Sequence, residues 1–62
     1  MPCQCQTAVI RAYTELRQRG QTEGDSYSAS VRIYRHFHPE SDRIVALDTV
    51  AEWIDQLETG AG

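Results

Sequence analysis

The chain has 62 residues, six of them arginine, none lysine and nine acidic, for a net charge of −3. One small domain with a thin core is all that such a length allows, and the acidic balance is unlike that of a general nucleic-acid binder. The sequence contains no apolar run of about 20 residues and the N-terminus MPCQCQTAVI lacks the features of a secretory signal, so we expect a cytoplasmic protein without a membrane span.

The stretch TAVIRAYTELRQRG predicts the first helix. Thr7 is suited to cap its N-terminus, and Gly20 is suited to follow its C-terminus in left-handed backbone. Val9, Tyr13 and Leu16 recur at helical spacing and form one apolar face.

The stretch SYSASVRIYRHF predicts the second helix, with Asp25 or Ser26 as its N-cap after the polar turn QTEGD. Pro39 disfavours helical backbone at the preceding residue, so we expect the helix to end near Phe37. Two adjacent apolar lines make its buried face wide. These lines are Tyr27, Val31, Tyr34 and Ala29, Ile33, Phe37.

The stretch IVALDTVAEWIDQLE predicts the third helix. We expect it to begin at Asp42 with Ser41 as its cap. The alternative is a later start at Asp48 or Thr49, where the spacing of Thr49 and Glu52 fits a capping box. Its apolar residues follow the a and d spacing of a heptad. They are Leu47, Val50, Ile54 and Leu57.

These elements predict an all-α fold: a small three-helix bundle in a single domain, 1–62, with 1–6 and 59–62 flexible. A core this thin is usually supplemented by a disulfide, a metal or a partner subunit. A disulfide between Cys3 and Cys5 would close too short a loop to constrain the unfolded chain. The wide apolar faces therefore favour self-association as a homodimer.

Two pairs of metal-ligand residue types raise the alternative of a small zinc-binding domain. They are Cys3 with Cys5 and His36 with His38. Their i, i+2 spacing is unlike the C-x2–4-C and H-x3–5-H spacing of familiar zinc sites. In a helix, residues two apart point about 200° away from each other. We therefore expect no metal or other cofactor, and keep zinc as the second alternative.

The first alternative is a helix-turn-helix-like protein that reads nucleic acid with its second helix. Its contacts would come from Ser28, Arg32 and Arg35, which are sensible partners for bases and phosphates. Acidic residues on the third helix, including Asp48 and Glu52, would repel phosphate. Nucleic acid is therefore an unexpected partner.

Catalysis is not expected, because the sequence carries no nucleophile-elbow, phosphate-loop or zinc-protease motif. We instead predict a small cytoplasmic adaptor or regulator that acts through protein–protein contacts, with itself or with a larger protein. Arginine without lysine favours a GC-rich bacterial genome as its source. The residue types that commonly anchor interfaces give the expected contact set. These residues are Tyr27, Tyr34, Phe37 and Trp53.

Overall fold

The computed structural model describes residues 4–59, which form three helices joined by two short turns. The helices are α1 (Gln4–Gln18), α2 (Glu23–Phe37) and α3 (Arg43–Thr59). No strand occurs within this part of the chain, and the all-α prediction of three helices is confirmed. None of the helices in 4–59 is both long and apolar enough to cross a bilayer.

Helix α1 begins at Gln4 rather than after a cap at Thr7, which lies exposed inside the helix. The earlier start places Cys5 one turn before Val9 and two turns before Tyr13, and all three side chains are buried. The buried line of α1 is therefore one turn longer than the apolar pattern from Val9 onward indicates.

The C-terminus of α1 has the predicted glycine stop. Gly20 has a φ of 91°, in the left-handed region. Its amide donates to the Arg17 carbonyl at 3.1 Å, and the Gln21 amide donates to the Leu16 carbonyl at 3.0 Å. This pair of bonds is a Schellman motif, which satisfies carbonyls that the helix leaves open.

Helix α2 is capped by Thr22, not by Asp25 or Ser26 as predicted. The Thr22 hydroxyl accepts from the Asp25 amide at 3.1 Å, and Glu23 and Asp25 place negative charge in the first turn. The Thr22–Asp25 spacing is a capping signal in the sequence, and it outweighs the turn tendency of Gly24. The predicted end of the helix at Phe37 is confirmed.

Helix α3 has the longer of the two predicted forms, although it begins at Arg43, one residue after the predicted start. The Asp42 carbonyl accepts from the Ala46 amide at 3.0 Å, which is the first bond of the helix. Thr49 lies inside the helix, so the alternative start there is wrong. Ala46 in the first turn is fully buried, and this contact favours the early start.

The core lies where the three helices meet, and each helix contributes apolar residues to it. Its buried members are Val9, Tyr13, Val31, Tyr34, Ala46, Val50 and Ile54. Residues that are partly buried against them are Tyr27, Ile33, Leu47, Trp53 and Leu57. Helix α3 therefore uses Val50 and Ile54 as predicted, together with Ala46, which the heptad spacing did not include.

The contact between α1 and α2 is the most extensive of the helix pairs. Ser26 and Ser30 on α2 have no exposed surface, and Tyr27 and Val31 occupy the side of α2 that meets α3. From the helical spacing we infer that the two serines face α1, where their small side chains suit a close approach of the helices. Ser30 donates to the Ser26 carbonyl at 2.8 Å.

Residues 1–3 and 60–62 lie outside the described part of the chain, so the predicted flexibility of both termini stays a prediction. The predicted flexible segments, 1–6 and 59–62, each overlap a helix. Residues 4–6 belong to α1, and residue 59 is the last residue of α3.

Candidate functional site

Of the four predicted metal ligands, the fold brings two together. The Cys5 sulfur lies 3.0 Å from His38 Nε2, joining the first turn of α1 to the residue that ends α2. Cys5 is 2% exposed, whereas the His38 side chain is partly exposed. The contact is a thiol–imidazole hydrogen bond at the edge of the core.

His38 is held from three directions besides Cys5. Its amide donates to the Tyr34 carbonyl at 2.9 Å, and its ring lies 4.8 Å from the Tyr34 ring. Its Nδ1 is 3.6 Å from a carboxylate oxygen of Glu40. The order thiol, imidazole, carboxylate matches that of cysteine nucleophile sites. Burial of the Cys5 sulfur, however, gives a substrate no approach to it, and the arrangement fastens α1 to α2 instead.

The other two predicted ligands do not join this pair. His36 is exposed, and its ring contacts that of Phe37 at 5.8 Å. Cys3 lies outside the described residues. Between residues 4 and 59, no group of three or more His, Cys, Asp or Glu side chains is arranged to hold a metal ion. The zinc alternative therefore stays a prediction with two of its ligands placed together.

The four predicted interface residues fall in different environments. Tyr34 is buried in the core, and the partly buried Trp53 ring meets it edge-on at 5.6 Å. Tyr27 is partly buried and donates its hydroxyl to the Leu47 carbonyl at 2.8 Å, which joins α2 to α3. Phe37 is 45% exposed. Phe37 is thus the member of the set with a large surface for a partner.

Burial raises the pKa of the Tyr27 hydroxyl above its ordinary value of 10.0, and the nearby Asp48 carboxylate adds to this effect. Both causes disfavour the phenolate. The hydroxyl therefore remains a donor to Leu47 throughout the neutral range.

The nucleic-acid set Ser28, Arg32 and Arg35 lies exposed along one side of α2. The structure adds Arg43, from the first turn of α3, to the same depression. We call this depression the arginine groove. Its lining residues are Tyr27, Ser28, Val31, Arg32, Arg35, Arg43 and Leu47. Only the antiparallel return of α3 brings Arg43 there, and no spacing in the sequence indicates it.

Two of the three arginines outside the groove have side-chain partners, whereas those of the groove have none among the described residues. Arg11 pairs with Glu15 at 3.9 Å on α1, and Arg17 donates to the Gln21 carbonyl at 2.8 Å. Arg32, Arg35 and Arg43 form no ion pair or hydrogen bond through their side chains with any residue in 4–59. Their positive charge is therefore uncompensated at close range.

A second surface feature, missed at the sequence level, is the outward side of α3. Ile44 is 66% exposed and Val45 is 50% exposed, both in the first turn of this helix. Ala51, Asp48 and Glu52 are exposed further along it. The sequence does indicate this feature, because Ile44 and Val45 are apolar but lie outside the heptad line that begins at Leu47.

Comparisons with protein-family models, with curated proteins and with solved structures find no match for this chain. What the protein does is therefore inferred from its own surfaces. Three features bear on it: the Cys5–His38 pair, the arginine groove and the outward side of α3.

Proposed function

We propose that this protein is a non-catalytic cytoplasmic adaptor or regulator, of bacterial origin, that acts through protein–protein contacts. The contact assigned here is a homodimer formed by the outward side of α3. The observation that carries this proposal is the exposure of Ile44 and Val45, large aliphatic side chains on an otherwise charged helix surface. Exposed apolar side chains grouped on one element are typical of interaction sites.

The absence of catalysis in this proposal rests on the burial of Cys5. Its sulfur lies beside an imidazole, as a nucleophile would, but it is 2% exposed. Nucleophilic catalysis requires a substrate atom near 3 Å from the attacking group, and that position is occupied by the protein itself.

The spacing on α3 suits two copies of the helix that run antiparallel. At about 100° per residue, Ile44, Asp48 and Ala51 lie on one strip of the helix surface. A two-fold axis between Leu47 and Asp48 sets Ile44 of one copy against Ala51 of the other. The large side chain then packs over a small one, and the arrangement repeats on the other side of the axis.

The thin core gives a thermodynamic reason for such a contact. Domains of this size commonly require a further source of stability, and a dimer that covers Ile44 removes exposed apolar area from water. The predicted anchors Tyr34 and Trp53 contribute to the monomer core in this proposal. Phe37, at the same end of the bundle as Ile44, remains available for a larger protein.

The test is sedimentation equilibrium of the wild type beside two variants, Ile44→Glu and Gln18→Glu. Both variants add one negative charge to an exposed helix position, but only Ile44→Glu places it in the proposed interface. We expect a dimer for the wild type and for Gln18→Glu, and a monomer for Ile44→Glu. Circular dichroism checks that both variants keep their helices.

A monomeric wild type over the full concentration range would refute the dimer. A dimer that Ile44→Glu leaves intact would refute its placement on α3. If the protein is a monomer that copurifies with a defined larger protein, and Phe37→Ser abolishes the copurification, the protein–protein contact is at Phe37 instead of on α3.

A further inference from the structure

The arginine groove is a second binding surface, separate from the strip on α3 that contains Ile44. Arg32 and Arg35 lie on adjacent turns of α2, and Arg43 faces them from the start of α3. The turn that joins the two helices brings these three guanidinium groups to one end of the depression. Ser28 lies further along the same side of α2.

The charge distribution of the whole chain makes this cluster unusual. Acidic residues outnumber arginines by nine to six, so carboxylates are abundant. Even so, no carboxylate in the described part of the chain pairs with Arg32, Arg35 or Arg43. Like charges held together repel each other, and an anionic ligand between them converts that repulsion into attraction.

The floor of the groove is apolar. Val31 and Leu47 form part of its lining, and the ring of Tyr27 is fixed there by the bond to the Leu47 carbonyl. A ligand that fills the groove therefore needs carboxylates or phosphates for the arginines together with an apolar group for this floor.

Two features of the surroundings discriminate between kinds of polyanion. The Asp48 carboxylate lies near Tyr27, at the end of the groove away from Arg43, and Glu23 and Asp55 line the next depression beyond Tyr27. An extended nucleic-acid backbone that continued past the groove would meet these negative charges. A short anionic segment with apolar side chains ends before them.

We propose that the arginine groove binds an acidic, partly apolar segment of a partner protein. Carboxylates of the segment accept paired hydrogen bonds from Arg32 and Arg35, a geometry that guanidinium groups favour. The Ser28 hydroxyl donates to the same segment, and an apolar side chain of the ligand rests on Val31 and Leu47.

The probe is a fluorescently labelled peptide of alternating glutamate and leucine, followed by anisotropy. A matched peptide with glutamine in place of glutamate and a labelled single-stranded oligonucleotide serve as competing ligands. The protein carries Ile44→Glu, so that the measurement does not depend on dimer formation. Arg43 is next to Ile44 in the chain, and for that reason the test variants change Arg32 and Arg35, which lie on α2.

We expect the acidic peptide to bind and its affinity to fall with added salt. Arg32→Gln/Arg35→Gln should weaken it about tenfold or more, as the loss of charge-assisted bonds to two arginines implies. The control, Arg11→Gln/Arg19→Gln, removes the same charge from α1 and the turn after it, and should change the affinity less than about twofold, since exposed charges outside the groove are screened.

Three results would overturn the proposal. The first is no binding of the acidic peptide at low salt. The second is an equal loss in the groove variant and in the α1 control. The third is tighter binding of the oligonucleotide than of the peptide, which would assign the groove to nucleic acid. The dimer test is independent, because it is read by sedimentation and by a residue outside the groove.

Discussion

Helix α2 meets its two neighbours in different ways. We infer that it presents Ser26 and Ser30, both without exposed surface, to α1, with which it makes the most extensive contact. Against α3 it presents Tyr27 and Val31, and the line between the helices opens outward into the arginine groove. The first contact is sealed and the second is partly open to solvent. We infer that stability is concentrated in the α1–α2 contact, while the α3 side supplies the surfaces for partners.

The largest expected effect comes from enlarging a residue in the sealed contact. Ser30→Leu forces a long side chain between α1 and α2 and should destabilise the protein by about 1–3 kcal/mol. Ser28→Leu makes the same change on the exposed side of the same helix and should change stability by less than about 0.5 kcal/mol. Urea denaturation of both variants measures the difference. Equal midpoints would show that the serine contact is not tightly packed.

The second prediction concerns the contact between Cys5 and His38, which joins α1 to the end of α2. His38→Ala removes the bond to the Cys5 sulfur and the ring contact with Tyr34, and should cost about 1–2 kcal/mol. His36→Ala removes an exposed imidazole and should cost less than about 0.5 kcal/mol. Thermal unfolding of the two variants gives the comparison. A larger loss in His36→Ala would mean that the histidines have been assigned to the wrong environments.

The third prediction concerns the hydrogen bond from the Tyr27 hydroxyl to the Leu47 carbonyl, at the floor of the groove. Tyr27→Phe removes the donor to Leu47 and should cost about 1 kcal/mol at neutral pH. The folded-state pKa of Tyr27 is raised, so its stabilising contribution is complete below pH 10.0 and is lost as the pH rises through the raised pKa. The wild type should therefore lose stability in alkali more steeply than Tyr27→Phe.

Denaturation at several alkaline pH values measures this difference. Tyr34→Phe is the control, because the described residues show no hydrogen bond from the Tyr34 hydroxyl. Parallel alkaline profiles for the wild type and Tyr27→Phe would contradict the environment described for Tyr27.

The smallest effect has the opposite sign. The Ser26 hydroxyl is buried without a hydrogen-bond partner in the described part of the chain. Ser26→Ala should therefore stabilise the protein by up to about 1 kcal/mol. Ser30→Ala, whose hydroxyl donates to the Ser26 carbonyl, should be neutral or slightly destabilising. A loss of stability in Ser26→Ala would show that its hydroxyl is hydrated or bonded.

The local sequence accounts for most of the secondary structure. Gly20 predicts the end of α1, Pro39 predicts the end of α2, and both ends are observed. The starts of the helices are less well predicted. Helix α2 is capped by Thr22 rather than by the predicted Asp25 or Ser26, and α1 extends back to Gln4, where Cys5 gains a buried contact with His38.

The candidate surfaces are less accessible to sequence reasoning. Arg32 and Arg35 are neighbours on one helix, so their spacing alone groups them. Arg43 belongs to another element, and its place in the groove depends on how α3 folds back. Tyr and Trp are residue types that commonly anchor interfaces, but in a bundle this small Tyr34 and Trp53 pack in or against the core.

The sequence by itself determined three helices and the apolar line of each one, because helix ends and helical periodicity are local properties of the chain. Only the tertiary structure decided which residues of the wide apolar faces are covered, since burial depends on the neighbouring helix. The tertiary structure also places Cys5 beside His38 and brings the three arginines of the groove together. Those placements join residues far apart in the chain, and close packing of the helices fixes them.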